Sequence, residues 1–462
     1  MTTYEQFIRG KHVAPSYCGF DVDLITGGAK SLFDFQWWTV RKTAQWGRAA
    51  IFAECGLGKT GMQCVWADAA VRRLNKPTLI LAPLAVAKQT ADEAAEFGVH
   101  VQQVRSSGDL RGAGVYVTNY DRLDKFDPSV FGAVVLDESS ILKNFSGKTK
   151  NALEAAFAHT SYRLCCTATP APNDYMELGN HAQFLGVMKS SEMLSRWFIN
   201  DTMNAGGYRL KGHARDAFWR WVASWAVTMD KPSDIGFSDD GWILPPLRFH
   251  EHVVSVDQTV GANDHDEEQL RIFREVKVSA TSIHREKRLT VQSRADRVAD
   301  LVSQHSSEPW VIWCDTNEEA EAAAMRCDAV EVRGSMSIER KEELLNGFTR
   351  GEITRLVTKP SIAGFGLNWQ HCHNTAFIGL SYSFEALYQA VRRFYRFGQA
   401  KPVDAHLIVA ETEGKVLEAI QRKQRQHEEM RAGMISAATG EKANNISGYI
   451  PHSNMEIPKW LA

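Results

Sequence analysis

The chain lacks the marks of a membrane or secreted protein. No apolar run among its 462 residues approaches the length that crosses a bilayer, and its N-terminus does not have the charged-then-apolar layout of a signal peptide. Its eight cysteines form no C-x-x-C pair, and several lie within apolar runs, which favours reduced core thiols over disulfides or zinc ligands. We therefore expect a cytoplasmic protein with no membrane association.

The chain also lacks a dominant charge. Its 53 basic and 55 acidic residues give a net charge of −2, so the molecule as a whole has no strong attraction for a polyanion such as nucleic acid. A polyanion would have to bind a local patch, and "YQAVRRFYRFGQAK" at 388–401 places four cations among aromatic residues. The alternative interpretation of this segment is a solvated basic helix.

What the chain does have is two series of short apolar runs separated by helical stretches. Such runs, bounded by turn residues, are typical of parallel sheets covered by helices on both faces, and the length allows two or three domains. The sequence therefore predicts an α/β fold with two sheet domains. The first series comprises 49–53, 78–84, 115–120, 133–138 and 163–169, and the second 310–315, 329–334, 354–359, 374–380 and 404–410.

The segment between the two series has a different amino-acid composition. It contains the aromatic-rich stretch "RDAFWRWVASWAV" and a linker rich in proline, glycine and aspartate, which indicate a helical insertion followed by a connector. Trp219, Trp221 and Trp225 suit a buried helical face, because aromatic spacing of this kind usually serves a core. A base-stacking platform is the alternative.

A glycine-rich loop follows the first apolar run. "AECGLGKTG" at 53–61 fits the relaxed form of G-x-x-x-x-G-K-[ST], with Ala53 in place of the first glycine. Gly56 and Gly58 allow a tight turn whose N–H groups point at one anion, while Lys59 adds a cation and Thr60 a hydroxyl for a metal ion. The helical pattern that follows completes the strand, loop and helix order of a phosphate cradle.

Two acids end another apolar run. In "FGAVVLDES", Asp137 is placed to hold Mg²⁺ and Glu138 to orient and deprotonate an attacking water. Adjacent acids at a strand end also occur as simple turn caps. The lysine upstream and the "TAT" at 167–169 favour the triphosphatase interpretation.

These segments together carry a family resemblance. "ECGLGKT", "LAPLAVAKQ", "VTNY", "LDESS", "CTATP", "TKPSIAGFGLNWQ" and "QAVRRFYRFGQAKPV" resemble, in this order, motifs I, Ia, Ib, II, III, V and VI of superfamily 2 helicases, and most of all the Snf-type branch. The resemblance covers about 32–410. The compact size and the absence of accessory domains resemble phage and prophage members, which implies a bacterial or phage-infected host cytoplasm.

The resemblance implies two RecA-like parallel-sheet domains in tandem with a helical insertion between them. The expected divisions are an N-terminal extension at 1–30, an ATP-binding domain at 31–175, an insertion and linker at 176–290, an arginine-bearing domain at 291–425 and a tail at 426–462. The implied cofactors are ATP and Mg²⁺.

Further residue roles come only from the resemblance. Gln36 in "FDFQ" resembles the residue that reads adenine, and Arg393 and Arg396 resemble the motif VI arginines that reach the γ-phosphate from the second domain. Contacts to the backbone of one nucleic-acid strand are implied for Thr118, Asn119, Thr358 and Lys359. Coupling of nucleotide state to that strand is implied for Thr167 and Thr169.

The chain departs from the family pattern at four places, one of which is the extra-long "KPSIAG" lead of motif V. Arg392 stands where an aspartate is common and Tyr395 where a histidine is common. The acidic motif continues with Ser139 and Ser140 where the branch usually has a histidine or similar fourth residue, so the coupling of hydrolysis to nucleic acid is expected to differ.

The function that follows is an ATP-dependent translocase that moves along double-stranded DNA through sequence-independent backbone contacts. One alternative is a strand-separating DNA or RNA helicase, although the sequence shows no clear hairpin to serve as a wedge. Another is an ATP-gated clamp on DNA or on a partner. The tail, with Tyr449, Ile457 and Trp460, is either a peptide that docks on a protein partner, or self-packed or disordered.

Overall fold

Both series of apolar runs form strands. The computed structural model describes residues 19–22, 30–83, 86–144, 147–201, 207–255, 280–363 and 367–442. The strands are β1 (Arg48–Ala53), β2 (Thr78–Ala82), β3 (Val101–Gln103), β4 (Val115–Asn119), β5 (Ala133–Asp137), β6 (Tyr162–Cys166), β7 (Phe198–Asp201), β8 (Gly207–Leu210), β9 (Ala226–Met229), β10 (Leu247–Val254), β11 (Trp310–Trp313), β12 (Val330–Glu331), β13 (Arg355–Thr358), β14 (Asn374–Phe377) and β15 (Val403–Ala410).

The helices lie between these strands. They are α1 (Asp34–Trp46), α2 (Lys59–Leu74), α3 (Ala87–Glu96), α4 (Lys148–Ala156), α5 (Leu178–Leu185), α6 (Ser190–Trp197), α7 (Arg215–Ala223), α8 (Ala280–Gln304), α9 (Asn317–Cys327), α10 (Ile338–Thr349), α11 (Pro360–Ala363), α12 (Phe384–Val391) and α13 (Gly414–Lys442). None of the helices in the described part of the chain combines the length and hydropathy needed to span a bilayer.

The strands assemble into two parallel sheets and one hairpin. The first sheet has the order β3-β4-β2-β5-β6-β1-β9 and the second β10-β15-β14-β11-β13-β12, with every pairing in both sheets parallel. This is the tandem RecA-like arrangement that the sequence predicted. Because parallel strands end at the same edge of a sheet, the loops after β1, β4, β5 and β6 meet there.

Alternation along the strands supplies a core on each face of the first sheet. Ile51 and Leu164 pack with Trp66 on one face, whereas Phe52 and Leu136 pack on the other, and all are fully buried. Burial of both faces explains why these strands read as continuous apolar runs.

The insertion expected to be helical contains strands as well. β9 extends the first sheet next to β1, and β10 forms an edge of the second sheet next to β15. β7 and β8 form an antiparallel hairpin, although no hairpin was evident from the sequence. Trp219, Trp221 and Trp225 are buried, as predicted.

The helix α13 runs from the second domain back onto the first. Its Met430 and Met434 are buried in the core that contains Trp219 of α7, and a Cβ at Gly433 would lie 2.5 Å from the indole nitrogen of Trp219. A glycine is therefore needed where the two helices approach. The predicted boundaries at 290 and 425 fall within α8 and α13, so both joints are continuous helix. Tyr449, Ile457 and Trp460 lie outside the described residues.

Candidate functional site

The glycine loop joins the end of β1 to the start of α2. Gly56 and Gly58 both have positive φ, at 90° and 76°, a conformation that glycine adopts without strain. A Cβ at Gly56 would lie 2.8 Å from the backbone nitrogen of Phe397, and one at Gly58 would lie 2.3 Å from Nε2 of Gln36. The loop is therefore covered by the second domain on one side and by the start of α1 on the other.

Lys59 is held by the loop itself. Its ammonium donates to the carbonyl oxygens of Ala53 at 2.9 Å and Glu54 at 3.3 Å. Neutral carbonyl oxygens are weaker acceptors than a phosphate, so an anion in the loop can compete for this cation.

Gln36 joins α1 to the same loop. Its Nε2 donates to the carbonyl of Leu57 at 2.9 Å, and its Oε1 accepts from the backbone N–H of Phe33 at 3.0 Å. An amide has a second hydrogen and a second lone pair, so Gln36 keeps one donor and one acceptor site for a base.

The two predicted acids lie together at the end of β5. Asp137 is buried and accepts from the backbone N–H of Glu138 at 3.1 Å, and its own carbonyl accepts from the Tyr120 hydroxyl at 2.6 Å. Glu138 has φ of 52° and ψ of 54°, which is uncommon for a residue with a side chain. This conformation turns the Glu138 carboxylate toward Thr167, whose hydroxyl donates to it at 3.3 Å.

Burial favours the neutral forms of both carboxyl groups, so a nearby cation is needed to keep them charged. Burial, together with the adjacent Glu138, raises the pKa of Asp137 to about 7. Burial also raises the pKa of Glu138, although Lys59 and Arg393 oppose that rise. Two neighbouring buried carboxyl groups fit a divalent cation such as Mg²⁺, which favours their charged forms and needs few protein ligands.

Thr60, the other predicted metal ligand, begins α2. It lies near Glu93 of α3, where its hydroxyl opposes the rise that burial imposes on the pKa of the Glu93 carboxyl group. The predicted metal set thus has Asp137 at the end of β5 and Thr60 beside the loop.

The motif VI arginines face the first domain. Arg393 is buried and donates to the carbonyls of Leu367 at 3.1 Å and Gln389 at 3.2 Å. Burial lowers its pKa to about 10, while the negative charge of Glu138 opposes that shift. The Cβ of Arg396 lies 3.2 Å from where a Cβ at Gly56 would be, and burial lowers the pKa of the Arg396 guanidinium as well. Two cations beside the glycine loop, Arg393 buried and Arg396 half-buried, favour an anionic ligand there.

The two threonines for which a coupling role was predicted follow β6. Thr167 lies between Glu138 and Thr169, because its hydroxyl also accepts from the Thr169 N–H at 3.1 Å. The Thr169 hydroxyl is buried without a hydrogen-bond partner among the described residues. A chain of contacts therefore leads from the acid to the loop after β6.

The predicted nucleic-acid contacts lie at the ends of β4 and β13. Thr118 and Asn119 are buried, and each has a side-chain oxygen without a partner in the described part of the chain. Thr358 is fully buried and its hydroxyl donates to the Val332 carbonyl at 3.3 Å, whereas Lys359 is half-buried. In this conformation Lys359 is better placed than Thr358 to meet a phosphate.

An ion cluster between the domains was not predicted from the sequence. Glu54 of the glycine loop accepts from Arg392 at 3.0 Å and from the Tyr388 hydroxyl. Burial raises the pKa of Glu54, but Arg392, Arg431 and Tyr388 outweigh it and lower that pKa to about 2. The acid in the loop and the unusual Arg392 were the available signals, although their pairing across the fold was not visible.

Arg431 of α13 completes the cluster. Its guanidinium donates to the carbonyls of Phe52 at 3.0 Å and Met229 at 2.6 Å, and pairs with Asp230. It therefore closes the carboxyl ends of β1 and β9, directly behind the glycine loop.

A glycine loop with its lysine, two acids two strands away and arginines from a second parallel-sheet domain define a helicase-like ATPase core with two lobes. Residues 35–220 match the model of the SNF2-related domain, and 293–398 match that of the helicase conserved C-terminal domain. The chain accordingly carries an SNF2-related domain followed by a helicase conserved C-terminal domain.

Curated relatives share only part of this chain. "Putative protein p41" of Acyrthosiphon pisum secondary endosymbiont phage 1 is 33% identical over 184 residues, which is 33% of this chain and 39% of that protein. The SWI/SNF chromatin-remodeling complex subunit snf22 of Schizosaccharomyces pombe is 25% identical over 174 residues, 33% of this chain and 10% of that protein. The matches thus span well under two thirds of either relative.

Two solved structures resemble the chain over most of its length. A structure of a S. cerevisiae Dbp5 variant bound to RNA and ADP BeF3 has a TM-score of 0.54 at 12% identity, covering 87% of this chain and 98% of that one. The Sulfolobus solfataricus SWI2/SNF2 ATPase core in complex with dsDNA has a TM-score of 0.42 at 16% identity, covering 93% and 100%. The former likeness supports the fold.

Proposed function

We propose that this chain hydrolyses ATP to translocate along double-stranded DNA, gripping the phosphate backbone without reading the sequence. The observation that carries the proposal is that the second domain lies directly on the phosphate loop of the first, with Arg396 and Phe397 against Gly56. A site assembled from two domains couples the chemistry to their relative motion.

The residues of both domains divide the hydrolysis between them. The loop N–H groups and Lys59 bind the phosphates, Glu138 orients and deprotonates the attacking water, and Arg393 and Arg396 stabilise the charge that develops on the γ-phosphate. Mg²⁺, held by Asp137 and Thr60, would neutralise the phosphate oxygens. Gln36 fixes the base end of the nucleotide.

Movement requires that the grip on DNA change with the nucleotide. Thr118 and Asn119 from the first domain and Lys359 from the second are the candidate backbone contacts, while Thr358 braces the end of β13. The contacts from Glu138 through Thr167 to Thr169 lead from the acid to the loop after β6, which supports a coupling role for the two threonines. Backbone contacts imply little sequence preference and a steep loss of binding as salt rises.

The test compares ATP hydrolysis without DNA and with single-stranded or double-stranded DNA of several sequences. The proposal predicts strong stimulation by duplex DNA of any sequence, together with displacement of a third strand from a triplex. Lys59→Ala should weaken ATP binding itself. ATP hydrolysis that is indifferent to DNA, or triplexes that stay intact, would contradict translocation and leave the clamp on DNA or on a protein partner.

The hairpin favours a second candidate, a strand-separating helicase. β7 and β8 pair antiparallel, and Ile199 and Tyr208 on them are partly exposed apolar side chains of the type that can pack against an unpaired base. Displacement of a blunt duplex oligonucleotide, compared between the native chain and an Ile199→Ser, Tyr208→Ser variant, tests this function. Loss of strand displacement with ATP hydrolysis preserved would support it.

A further inference from the structure

The helix α5 binds the turn that follows the two acids at the end of β5. This turn is the short 3₁₀ helix Ser139–Lys143, here called the acid turn. Nδ2 of Asn180 donates to the carbonyl of Leu142 at 2.8 Å, and Nε2 of His181 lies 3.1 Å from the hydroxyl oxygen of Ser139. The helix therefore holds the acid turn near both of its ends.

The contact between His181 and Ser139 is fully buried, since neither residue has any exposed surface. The His181 ring also meets the Phe52 ring edge to face, with the centroids 5.4 Å apart and the planes at 85°. Phe52 lies one residue before the end of β1, the strand that leads into the glycine loop. One side chain thus contacts both the strand before the glycine loop and the turn after the acids.

Burial also fixes the chemical form of His181. It lowers the pKa of the imidazole to about 4, so the ring is neutral at neutral pH and has one N–H and one lone pair. Nδ1 lies 3.4 Å from the carbonyl oxygen of Glu177, which can only accept, so the ring hydrogen belongs on Nδ1. Nε2 then accepts from the Ser139 hydroxyl. Moving Ser139 away would leave a buried nitrogen without a partner, and this cost resists such a movement.

Glu138 depends on support of this kind. Its φ of 52° is a conformation that persists only where the surrounding structure enforces it. The residue before it ends β5, and the residue after it is Ser139, which His181 holds. The direction of the Glu138 carboxylate is therefore set in part by α5.

The same helix reaches the loop after β6. Glu177, directly before α5, accepts from the backbone N–H of Asn173 at 3.1 Å and from the side-chain amide of Asn173 at 2.8 Å. The amide oxygen of Asn173 accepts from Lys423 of α13 at 3.0 Å. The helix α5 thus joins the acid turn to the loop after β6 and, through Asn173, to α13.

We propose that His181 is a positioning residue for Glu138, which it holds, through Ser139, in the direction that orients the attacking water. The inference rests on the proposed ATP hydrolysis and adds to it a residue that lies outside the seven motif segments. The acidic motif ends on two serines and has no histidine of its own. The fold brings one to it from 42 residues further along the chain.

The experiment compares DNA-stimulated turnover with ATP affinity in His181→Phe, Ser139→Ala and the double variant. Phenylalanine keeps a ring against Phe52 but removes both nitrogens. Turnover should fall about tenfold in each single variant and no further in the double variant, while the ATP dissociation constant stays within about twofold of the native value. His181→Gln should recover part of the turnover, because its side-chain carbonyl can accept from Ser139.

Gln183→Ala is the matched control. Gln183 lies on the same helix, but it donates to Glu154 at 2.9 Å and accepts from the backbone N–H of Ser190 at 3.0 Å, so its contacts are not with the acid turn. This variant should lose stability and keep native turnover. Thermal unfolding of every variant measures the loss of stability, and turnover is compared well below each transition.

Three results would overturn the inference. They are native turnover in Ser139→Ala, a loss of ATP affinity as large as the loss of turnover, and losses of turnover that multiply in the double variant. If His181→Phe does not fold, Ser139→Ala decides by turnover and ATP affinity alone. A native chain that hydrolyses no ATP, with or without DNA, would contradict the proposed function itself, and the inference would fall with it.

Discussion

Glu138 has a left-handed backbone conformation, which sets the direction of its side chain. A left-handed conformation at a residue with a Cβ costs of order 1–3 kcal/mol, and such strain persists only where the surrounding structure enforces it. Here the buried end of β5 and the contact with Thr167 enforce it. The conformation aims the acid away from the core and toward the site.

The first prediction concerns this acid. Glu138→Gln keeps the shape but removes the base, so ATP should bind with nearly native affinity while DNA-stimulated turnover falls by about 10²-fold or more. Steady-state hydrolysis and equilibrium nucleotide binding measure the two quantities. Glu343→Gln, an exposed change on α10, is the control, and native turnover in Glu138→Gln would remove Glu138 from its role.

The Glu54–Arg392 contact gives a second prediction at this scale. Both side chains are largely buried, so Arg392→Ala strands a carboxylate beside the glycine loop and should lower the free energy of unfolding by about 3 kcal/mol. Urea unfolding measures this cost. In a double-mutant cycle, Glu54→Gln combined with Arg392→Ala should cost less than the sum of the single changes, and simple additivity would show that the pair does not interact.

The pH dependence of this contact has a definite sign. The pKa of Glu54 is lowered to about 2 from an ordinary value of 4.5, so its contribution is fully present above pH 4.5 and is lost as the pH falls toward 2. The difference in stability between the native chain and Glu54→Gln, which has no carboxyl group at this position, should therefore be constant from about pH 5 to pH 8 and shrink in acid. A difference that shrinks on going from neutral pH to about pH 5 would contradict this assignment.

Some residues of the site lie in short sequence patterns that indicate their place, whereas others depend on partners that are far away in sequence. The places of Lys59, Asp137 and Glu138 beside the ends of buried strands were predictable because each lies in a short pattern attached to an apolar run, whereas their roles in hydrolysis stay predictions. The partners of Glu54 were not predictable, since Arg392 is 338 residues away in sequence and only folding brings the two together. The predicted roles of Thr118, Asn119, Thr358 and Lys359 in binding nucleic acid stay predictions.

At the scale of elements, the carboxyl edge of the first sheet is closed by a helix from the other end of the chain. Arg431 of α13 satisfies carbonyls at the ends of β1 and β9 that lie too deep for water to reach easily. A planar guanidinium can serve several acceptors at once, in a fixed geometry that a lysine does not offer. The helix thereby joins the second domain to the back of the glycine loop.

The third prediction follows from this closure. Arg431→Ala should reduce stability by about 2 kcal/mol, less than the roughly 3–5 kcal/mol typical of a fully buried pair, because Asp230 is half exposed. Arg431→Lys should restore only part of the loss. Urea unfolding measures both, with the exposed change Arg340→Ala as control. An Arg431→Ala variant as stable as the control would mean that Arg431 is not needed to close the sheet edge.

Most strands were predictable because burial on both faces produces continuous apolar runs. β9 and β10 were not. β9 is a short apolar run inside an aromatic segment with helical character. β10 is an edge strand whose residues are half-buried or exposed and include arginine, histidine and glutamate. The hairpin was missed because neither of its strands carries the apolar pattern of a core strand.

At the scale of the whole molecule, contacts between the two domains surround the glycine loop. Lys143 pairs with Glu385, Lys423 donates to Asn173 at 3.0 Å, and the Phe397 ring packs 4.4 Å from that of Trp242 beside the loop. The described conformation is accordingly a closed one, in which the arginines of motif VI are held at the site by the same contacts. Opening has to break several polar contacts, and a ligand that touches both domains would favour the closed conformation further.

The most direct test of the account is the kinetics of Arg396→Ala, with Arg340→Ala on the exposed face of the same domain as control. If Arg396 completes the site from the second domain, ATP affinity should stay within about twofold while DNA-stimulated turnover falls about 10³-fold, as expected for an arginine that acts on the transition state. Native turnover in Arg396→Ala, with Arg340→Ala also native, would contradict a site built from two domains.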